Sequence, residues 1–93
     1  MFKYKLIIEY DGTNFVGWQR QDNGPSIQQS LEKAIQKLAN EQVVVFGSGR
    51  TDSGAHGKGQ VAHFEISNDL AKDNIRDGIN QHLRPLPIVI LNV

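Results

Sequence analysis

A short loop of charged and small residues is the part of this 93-residue chain best suited to chemistry. It runs Gly49-Arg50-Thr51-Asp52-Ser53-Gly54-Ala55-His56 and joins two apolar runs. Loops of this length that lack structure of their own are usually functional in compact domains. Five glycines between positions 47 and 59 permit unusual backbone angles and a close approach of the backbone to a ligand. We therefore expect Asp52 to carry the chemistry.

The charged neighbours of Asp52 add to this expectation. Arg50 is close enough in sequence for its guanidinium to stabilise the aspartate as an anion. His56 ends the loop and can bind a phosphate or a base, or brace the loop itself. Aspartate, serine, threonine and glycine are also the residues of ordinary turns, so a long structural connection between two strands is the competing interpretation.

Composition narrows the class of protein. The apolar fraction of 39% is ordinary for a small soluble domain, and the absence of cysteine excludes disulfides and thiolate chemistry. The net charge of zero argues against a strongly basic nucleic-acid-binding domain, although Arg50 and Lys58 outweigh Asp52 around the loop. The early apolar run Leu6-Ile7-Ile8 is too short for a signal peptide or a membrane span. We expect one cytoplasmic domain.

The elements that must position the loop follow from periodicity. Residues 4–10 predict a strand, whose continuous apolar centre suggests cover on both faces. Ser26 opens a helix that ends near Asn40, and residues 43–46 predict the second strand. Between them, residues 11–18 predict a hairpin or an ordered excursion, with Asp11-Gly12 as turn residues and Phe15 and Trp18 in the core. Residues 60–66, with His63 on the surface, predict the third strand.

The end of the chain repeats this arrangement. Asp69 is the expected N-cap of a second helix, whose apolar stripe includes Leu70 and which Arg84-Pro85 ends. Residues 87–93 predict the last strand. The order β-α-β-β-α-β is that of an α+β, ferredoxin-like unit, a four-stranded antiparallel sheet with both helices on one face. The spacing contains no metal-ligand pattern and no glycine pattern for a dinucleotide.

Three blocks of the sequence together resemble one family. The loop, followed by Gly59-Gln60-Val61, is similar to the motif G-R-T-D-x-G-V-H and G-Q-V of the tRNA pseudouridine synthase A family. Ala55 stands where a larger aliphatic residue is common, a departure that touches packing rather than chemistry. Residues 9–21 resemble the family's E-Y-D-G and F-x-G-W-Q-x-Q, and Ser26-Ile27-Gln28 follows in the family's spacing. The resemblance covers most of residues 4–66.

The resemblance implies a function. It implies isomerisation of uridine to pseudouridine at tRNA positions 38–40, in the anticodon stem-loop, by an RRM-like fold that acts as a homodimer without cofactor or metal. Asp52 matches the catalytic aspartate, and Arg50 matches an arginine that helps to extrude the target base. The attack of Asp52 on C1′ or C6, and a glycal route through the C2′ proton, remain open alternatives. The expected substrate-binding residues are Arg50, Thr51, His56, Gln19, Arg20 and Lys58.

The family also bears on the extent of the chain. In the family a second half of similar fold completes the cleft, and a tyrosine and a basic residue near the aspartate follow the fourth strand. We therefore expect residues 1–93 to be a single domain, the N-terminal catalytic-motif half, and to be weakly active or inactive without the C-terminal half.

Two other functions are alternatives to the hypothesis of a tRNA pseudouridine synthase. One is a non-catalytic RNA-binding module that retains the fold. The other is an acylphosphatase-like hydrolase, which shares the order of elements but needs an arginine in the loop after the first strand. This chain has Asp11-Gly12-Thr13-Asn14 there, and its next arginine is Arg20.

Overall fold

The part of the chain that the structure describes forms one antiparallel sheet with two helices, as the sequence predicted. The computed structural model describes residues 1–13, 15–18, 24–47 and 57–93. Along the chain, these residues form β1 (Phe2–Tyr10), α1 (Ile27–Ala39), β2 (Phe46–Gly47), β3 (Gly57–Ile66), α2 (Lys72–Leu83) and β4 (Ile88–Asn92). The strand order in the sheet is β2-β3-β1-β4, and every neighbouring pair is antiparallel. The ferredoxin-like α+β prediction is confirmed.

The core lies between one face of the sheet and the two helices. Alternate residues of β1 are buried there, because successive side chains of a strand point to opposite faces. The apolar stripes of α1 and α2 join the same cluster of buried residues. Its fully buried members include Leu6, Ile8, Leu31, Ile35, Phe64, Ile75, Ile79 and Ile90.

The opposite face of the sheet carries no helix among the described residues, which corrects one prediction. Ile7 lies on this open face and is half-buried, opposite the half-buried Val61 of β3. Within the described part of the chain, the apolar centre of β1 therefore continues as the pair Ile7 and Val61 on a face without a helix.

Local signals fixed both ends of α1. The Ser26 hydroxyl accepts a hydrogen bond from the Gln29 N–H at 3.1 Å, the N-cap that the sequence predicted. At the other end, Asn40 takes the left-handed conformation with φ 56°, and its N–H bonds to the carbonyl of Gln36 at 2.8 Å.

The second strand differs from its prediction. Residues 43–46 were expected to form it, but of the described residues only Phe46 and Gly47 pair with β3. Val43 and Val45 are buried and Val44 is exposed, so the alternation is that of a strand. The backbone of Val45 instead bonds to side chains of α1, which removes it from the ladder.

The second helix also begins later than predicted. Its N-cap is Ala71 rather than Asp69, and no side chain caps it. The Tyr4 hydroxyl accepts a bond from the Leu70 N–H at 2.9 Å and lies 3.4 Å from a carboxylate oxygen of Asp69. These contacts with β1 hold the residues that would otherwise start the helix.

The segment after β1 is an ordered excursion rather than a hairpin. Val16 donates a hydrogen bond to the carbonyl of Pro25 at 2.9 Å, and the N–H groups of Ile27 and Gln28 bond to the carbonyls of Gly17 and Trp18. Phe15 and Trp18 are buried, as predicted. The excursion therefore packs its aromatic side chains into the core beside the start of α1.

Candidate active site

The candidate site is the loop between β2 and β3, which the described residues frame from both sides. Of the residues predicted to act on substrate, the structure describes Lys58, which is exposed on β3 opposite Glu9. The other six predicted site residues lie outside the described residues: Asp52, Arg50, Thr51, His56, Gln19 and Arg20. What the structure contributes is the geometry of the frame.

Side chains of α1 hold the backbone just before the loop. The Gln28 amide nitrogen donates to the carbonyl of Val45 at 2.8 Å, and the Val45 N–H donates to the Glu32 carboxylate at 2.9 Å. Gln28 and Glu32 are four residues apart and therefore share one face of the helix. Glu32 is buried, so its carboxylate serves this contact inside the protein.

An indole ring lies directly beside the last described residue before the loop. A methyl group added to Gly47 would come within 2.6 Å of both Cε2 and Nε1 of Trp18. Trp18 is buried and its ring lies 6.4 Å from that of Tyr10, centroid to centroid. Position 47 therefore accepts only glycine without a shift of the backbone or of the indole.

A β-bulge marks the return of the chain into the sheet. Gly57 pairs with Tyr10 and Lys58 with Glu9, but Ile8 pairs with Gln60, so one residue of β3 is left over. That residue, Gly59, has φ 77°, a conformation that glycine adopts without steric cost. Bulges of this kind are common beside active sites, because they increase strand twist and re-aim side chains.

The turn after β1 ties the same end of the sheet together. The Asp11 N–H donates to the carbonyl of Pro87 at 3.0 Å, just before β4. The Asp11 carboxylate accepts from the Thr13 N–H at 3.0 Å and from the Thr13 hydroxyl at 2.5 Å. Asp11 is therefore engaged in turn chemistry, as the sequence predicted.

A cavity of about 560 Å³, lined by both charged and apolar side chains, opens at this end of the sheet. The cations Lys58 and Arg84 and the anions Glu9 and Asp11 line it, together with Asn80 of α2. The Asn80 amide is occupied by the backbone of Ile90, at 2.7 and 3.1 Å. The charged side chains that line the cavity are balanced in sign, and apolar side chains such as Leu86 and Val89 complete the lining.

Two kinds of feature are absent from the described part of the chain. No group of three or more potential metal-ligating side chains occurs there. No helix within the same residues is long and apolar enough to span a bilayer.

Sequence reasoning missed the residues that hold this frame. Gln28 was named only within a block of the family resemblance, Gly47 only as one of five glycines around the loop, and Glu32 received no role. The available signal for Glu32 was its position next to Leu31 in the apolar stripe of α1. A carboxylate that is buried at such a position is almost always paired. No local signal marked Gly47, since its requirement comes from Trp18.

Glu32→Ala is expected to lower the free energy of unfolding by about 1–3 kcal/mol, because the Val45 N–H loses its buried acceptor. Glu32→Gln retains an acceptor oxygen and should lose less. Lys33→Ala, exposed on the next position of α1, is the matched control. Urea denaturation of the three variants checks the order, and equal midpoints for Glu32→Ala and Lys33→Ala would contradict the role of this bond.

The fold and this frame define a ferredoxin-like α+β domain with an aspartate-bearing loop between its second and third strands. Residues 6–91 match the sequence profile of the family described as tRNA pseudouridine synthase. The chain belongs to the tRNA pseudouridine synthase family.

Individual relatives agree with this assignment. The chain is 54% identical over 91 residues to tRNA pseudouridine synthase A of Maricaulis maris, covering 98% of this chain and 36% of the relative. It is 55% identical over 92 residues to the protein of that name from Afipia carboxidovorans, covering 99% and 38%. The chain is 48% identical over 93 residues to that of Rhodospirillum centenum, covering 100% and 38%. The chain thus spans little more than a third of the length of these relatives.

Proposed function

We propose that the polypeptide carrying this chain is a tRNA pseudouridine synthase that isomerises uridines at positions 38–40 of the anticodon stem-loop. One observation carries the proposal beyond family membership. Trp18 and Gln28, from the two other sequence blocks of the resemblance, both contact the residues just before the loop, at Gly47 and Val45. The two other blocks therefore contact the backbone that leads into the third block, which carries Asp52.

The reaction needs an ionised carboxylate beside a sugar–base unit. The N1–C1′ bond breaks, the uracil turns over, and C5 bonds to C1′; C5 loses a proton and N1 gains one, so the reaction is an isomerisation. Asp52 acts as the nucleophile at C1′ or C6, or takes the C2′ proton in a glycal route. Carboxylates act comparably at the anomeric carbon in glycosidases.

The remaining loop residues bind and expose the target nucleotide. A base in a stem or loop must be flipped out of its stack, at a cost of a few kcal/mol. Arg50 keeps the carboxylate ionised and fills the vacated space with its planar guanidinium. Phosphate and base contacts fall to Thr51, His56, Gln19, Arg20 and Lys58.

The chain matches little more than a third of the length of its relatives, so the proposal concerns a polypeptide of their length. We propose that residues 1–93 are its N-terminal catalytic-motif domain and that a C-terminal half completes the cleft. The whole protein acts in the cytoplasm as a homodimer that clamps tRNA, and it uses no cofactor.

An assay of site and extent tests this function. The whole polypeptide is incubated with an unmodified tRNA transcript, and pseudouridine is located by carbodiimide labelling and primer extension. We expect pseudouridine at positions 38–40, and none when those uridines are replaced by cytidine. A transcript left unmodified by the whole polypeptide would refute the enzyme and favour the non-catalytic RNA-binding alternative.

The isolated 93-residue chain is expected to show little turnover in the same assay. Its cleft lacks the residues that the second half contributes. Turnover equal to that of the whole polypeptide would show that the second half is dispensable for the chemistry.

A further inference from the structure

One aromatic ring beside the loop is open to solvent. Phe46 is 54% exposed, whereas Tyr4, Tyr10 and Phe64 are buried in the core. Its ring stacks on that of His63, with centroids 5.2 Å apart and planes at 20°. The other side of the Phe46 ring has no ring partner among the described residues. Phe46 stands six positions before Asp52 in the sequence.

A cation continues this row across the sheet. His63 is opposite Phe46 in one ladder and opposite Lys5 in the next, so the three lie side by side on the open face. At the usual strand spacing, Phe46 and Lys5 are roughly 10 Å apart at their Cα atoms. We refer to Phe46, His63 and Lys5 as the stacking platform.

The surroundings of the platform favour an anionic ligand on the lysine side. A cavity of about 520 Å³ is lined by Lys3, Lys5 and Lys72, and no acidic side chain lines it. None of these lysines makes an ion pair within the described part of the chain. Cations in a shared cavity attract phosphate, although Glu65, opposite Lys3 in the ladder, competes for that lysine.

The ring side of the platform offers groups for the edge of a base. A second cavity, of about 310 Å³, borders Phe46 and His63 and is also lined by Gln42 and Glu65. An amide and a carboxylate present both donors and acceptors, which the edges of nucleobases require. Glu65 is opposite Lys3, and this pair lies two positions along the strands from the pair of His63 and Lys5.

We propose that an unpaired nucleobase of the substrate RNA stacks on the outer face of Phe46, with its flanking phosphates on Lys5 and Lys3. This inference rests on the proposed function for its RNA substrate, and it adds a contact beyond the target nucleotide. Stacked aromatic side chains beside cations are the usual means of binding unpaired bases. The lysine-lined cavity favours this occupant over an apolar protein segment.

Binding of two RNAs by variants of the whole polypeptide tests the stacking contact. The probes are a fluorescein-labelled anticodon stem-loop and a blunt RNA duplex of equal length. Phe46→Leu should weaken binding of the stem-loop roughly tenfold, the usual loss when one stacked base is released, and leave the duplex unaffected. Phe46→Trp should restore binding. Phe2→Leu, at a second half-exposed phenylalanine, is the matched control and should bind as wild type.

The phosphate contact has a separate signature in salt dependence. Lys5→Gln should reduce the slope of log affinity against log salt concentration by about one for the stem-loop. Lys33→Gln, on the outer side of α1, should leave the slope unchanged. Equal slopes for the two variants would remove Lys5 from the proposal.

Photo-crosslinking tests the contact in wild-type protein, so its outcome does not depend on whether a variant folds. Stem-loops carrying 5-bromouridine at single loop positions should crosslink wild-type protein at Phe46 or His63, as mapped by mass spectrometry. Crosslinks confined to other residues, or unchanged stem-loop affinity in Phe46→Leu, would overturn the platform. If either of these results is found in a polypeptide that forms pseudouridine normally, only the platform is refuted. If Phe46→Leu loses stem-loop binding but the wild-type polypeptide never forms pseudouridine, only the proposed function is refuted.

Discussion

Replacing Asp52 by alanine is expected to abolish pseudouridine formation by the whole polypeptide while RNA binding persists. The carboxylate is the group that attacks or deprotonates the nucleotide, and no other loop residue can substitute for it. The loss should be on the order of 10³-fold or more, comparable with removal of a nucleophile or a general base elsewhere. Release of tritium from tRNA labelled at uridine C5 measures the rate, because that proton leaves during the reaction.

Three further variants make the result specific. Asp52→Asn retains the size of the side chain and should be equally inactive, since charge and nucleophilicity are lost. Asp73→Asn, exposed on α2, should keep the wild-type rate. Arg50→Ala should weaken both binding and turnover, in contrast to Asp52→Ala. Turnover near wild type in Asp52→Ala would rule out the nucleophile assignment.

Gly47→Ala is expected to produce the largest effect among residues outside the loop. The new methyl group would meet the Trp18 indole at 2.6 Å, far inside van der Waals contact. A buried indole cannot swing aside as a flexible side chain can, so the backbone before the loop must shift. We expect a loss of about 1–3 kcal/mol in the free energy of unfolding, as for overpacking, together with reduced turnover.

A double-mutant cycle identifies the cause. Phenylalanine at position 18 lacks the indole atoms that the methyl group would meet, so Gly47→Ala should cost less in a Trp18→Phe background. Gly59→Ala is the matched control: its methyl group would meet nothing within 4 Å, and its cost arises from the φ of 77°. Trp18→Phe should leave that cost unchanged. Urea midpoints for the six proteins provide the measurement, and additivity at Gly47 would disprove the contact.

The sequence predicted those parts of the fold whose causes are local. Ser26, the apolar stripe and Asn40 all lie within or next to α1, and its bounds were accurate. β2 was misplaced because the partners of Val45 are Glu32 and Gln28, which are 13 and 17 positions away. The start of α2 was misplaced for the same reason, since Tyr4 contacts Leu70 from the first strand.

The candidate site, like the fold, was predictable only where it depends on residues that are near one another in the sequence. The types and order of residues 49–56 were enough to nominate Asp52, because the chemistry depends on which groups are present. The support beneath the loop depends on which residues meet in space, and neither the closeness of Trp18 to Gly47 nor the row of Phe46, His63 and Lys5 follows from spacing along the chain.

The extra residue at Gly59 acts as a phase shift in β3. Ala62, Phe64 and Ile66 point into the core, and the alternation continues to Gln60 opposite the inward-facing Ile8. If Gly59 were instead paired with Glu9 in a regular ladder, Lys58 would be opposite the buried Tyr10 and its charge would face the helices. Because Gly59 is unpaired, Lys58 is opposite Glu9 on the open face. One extra glycine therefore lets the later residues of β3 alternate into the core while Lys58, at the start of the strand, faces away from it.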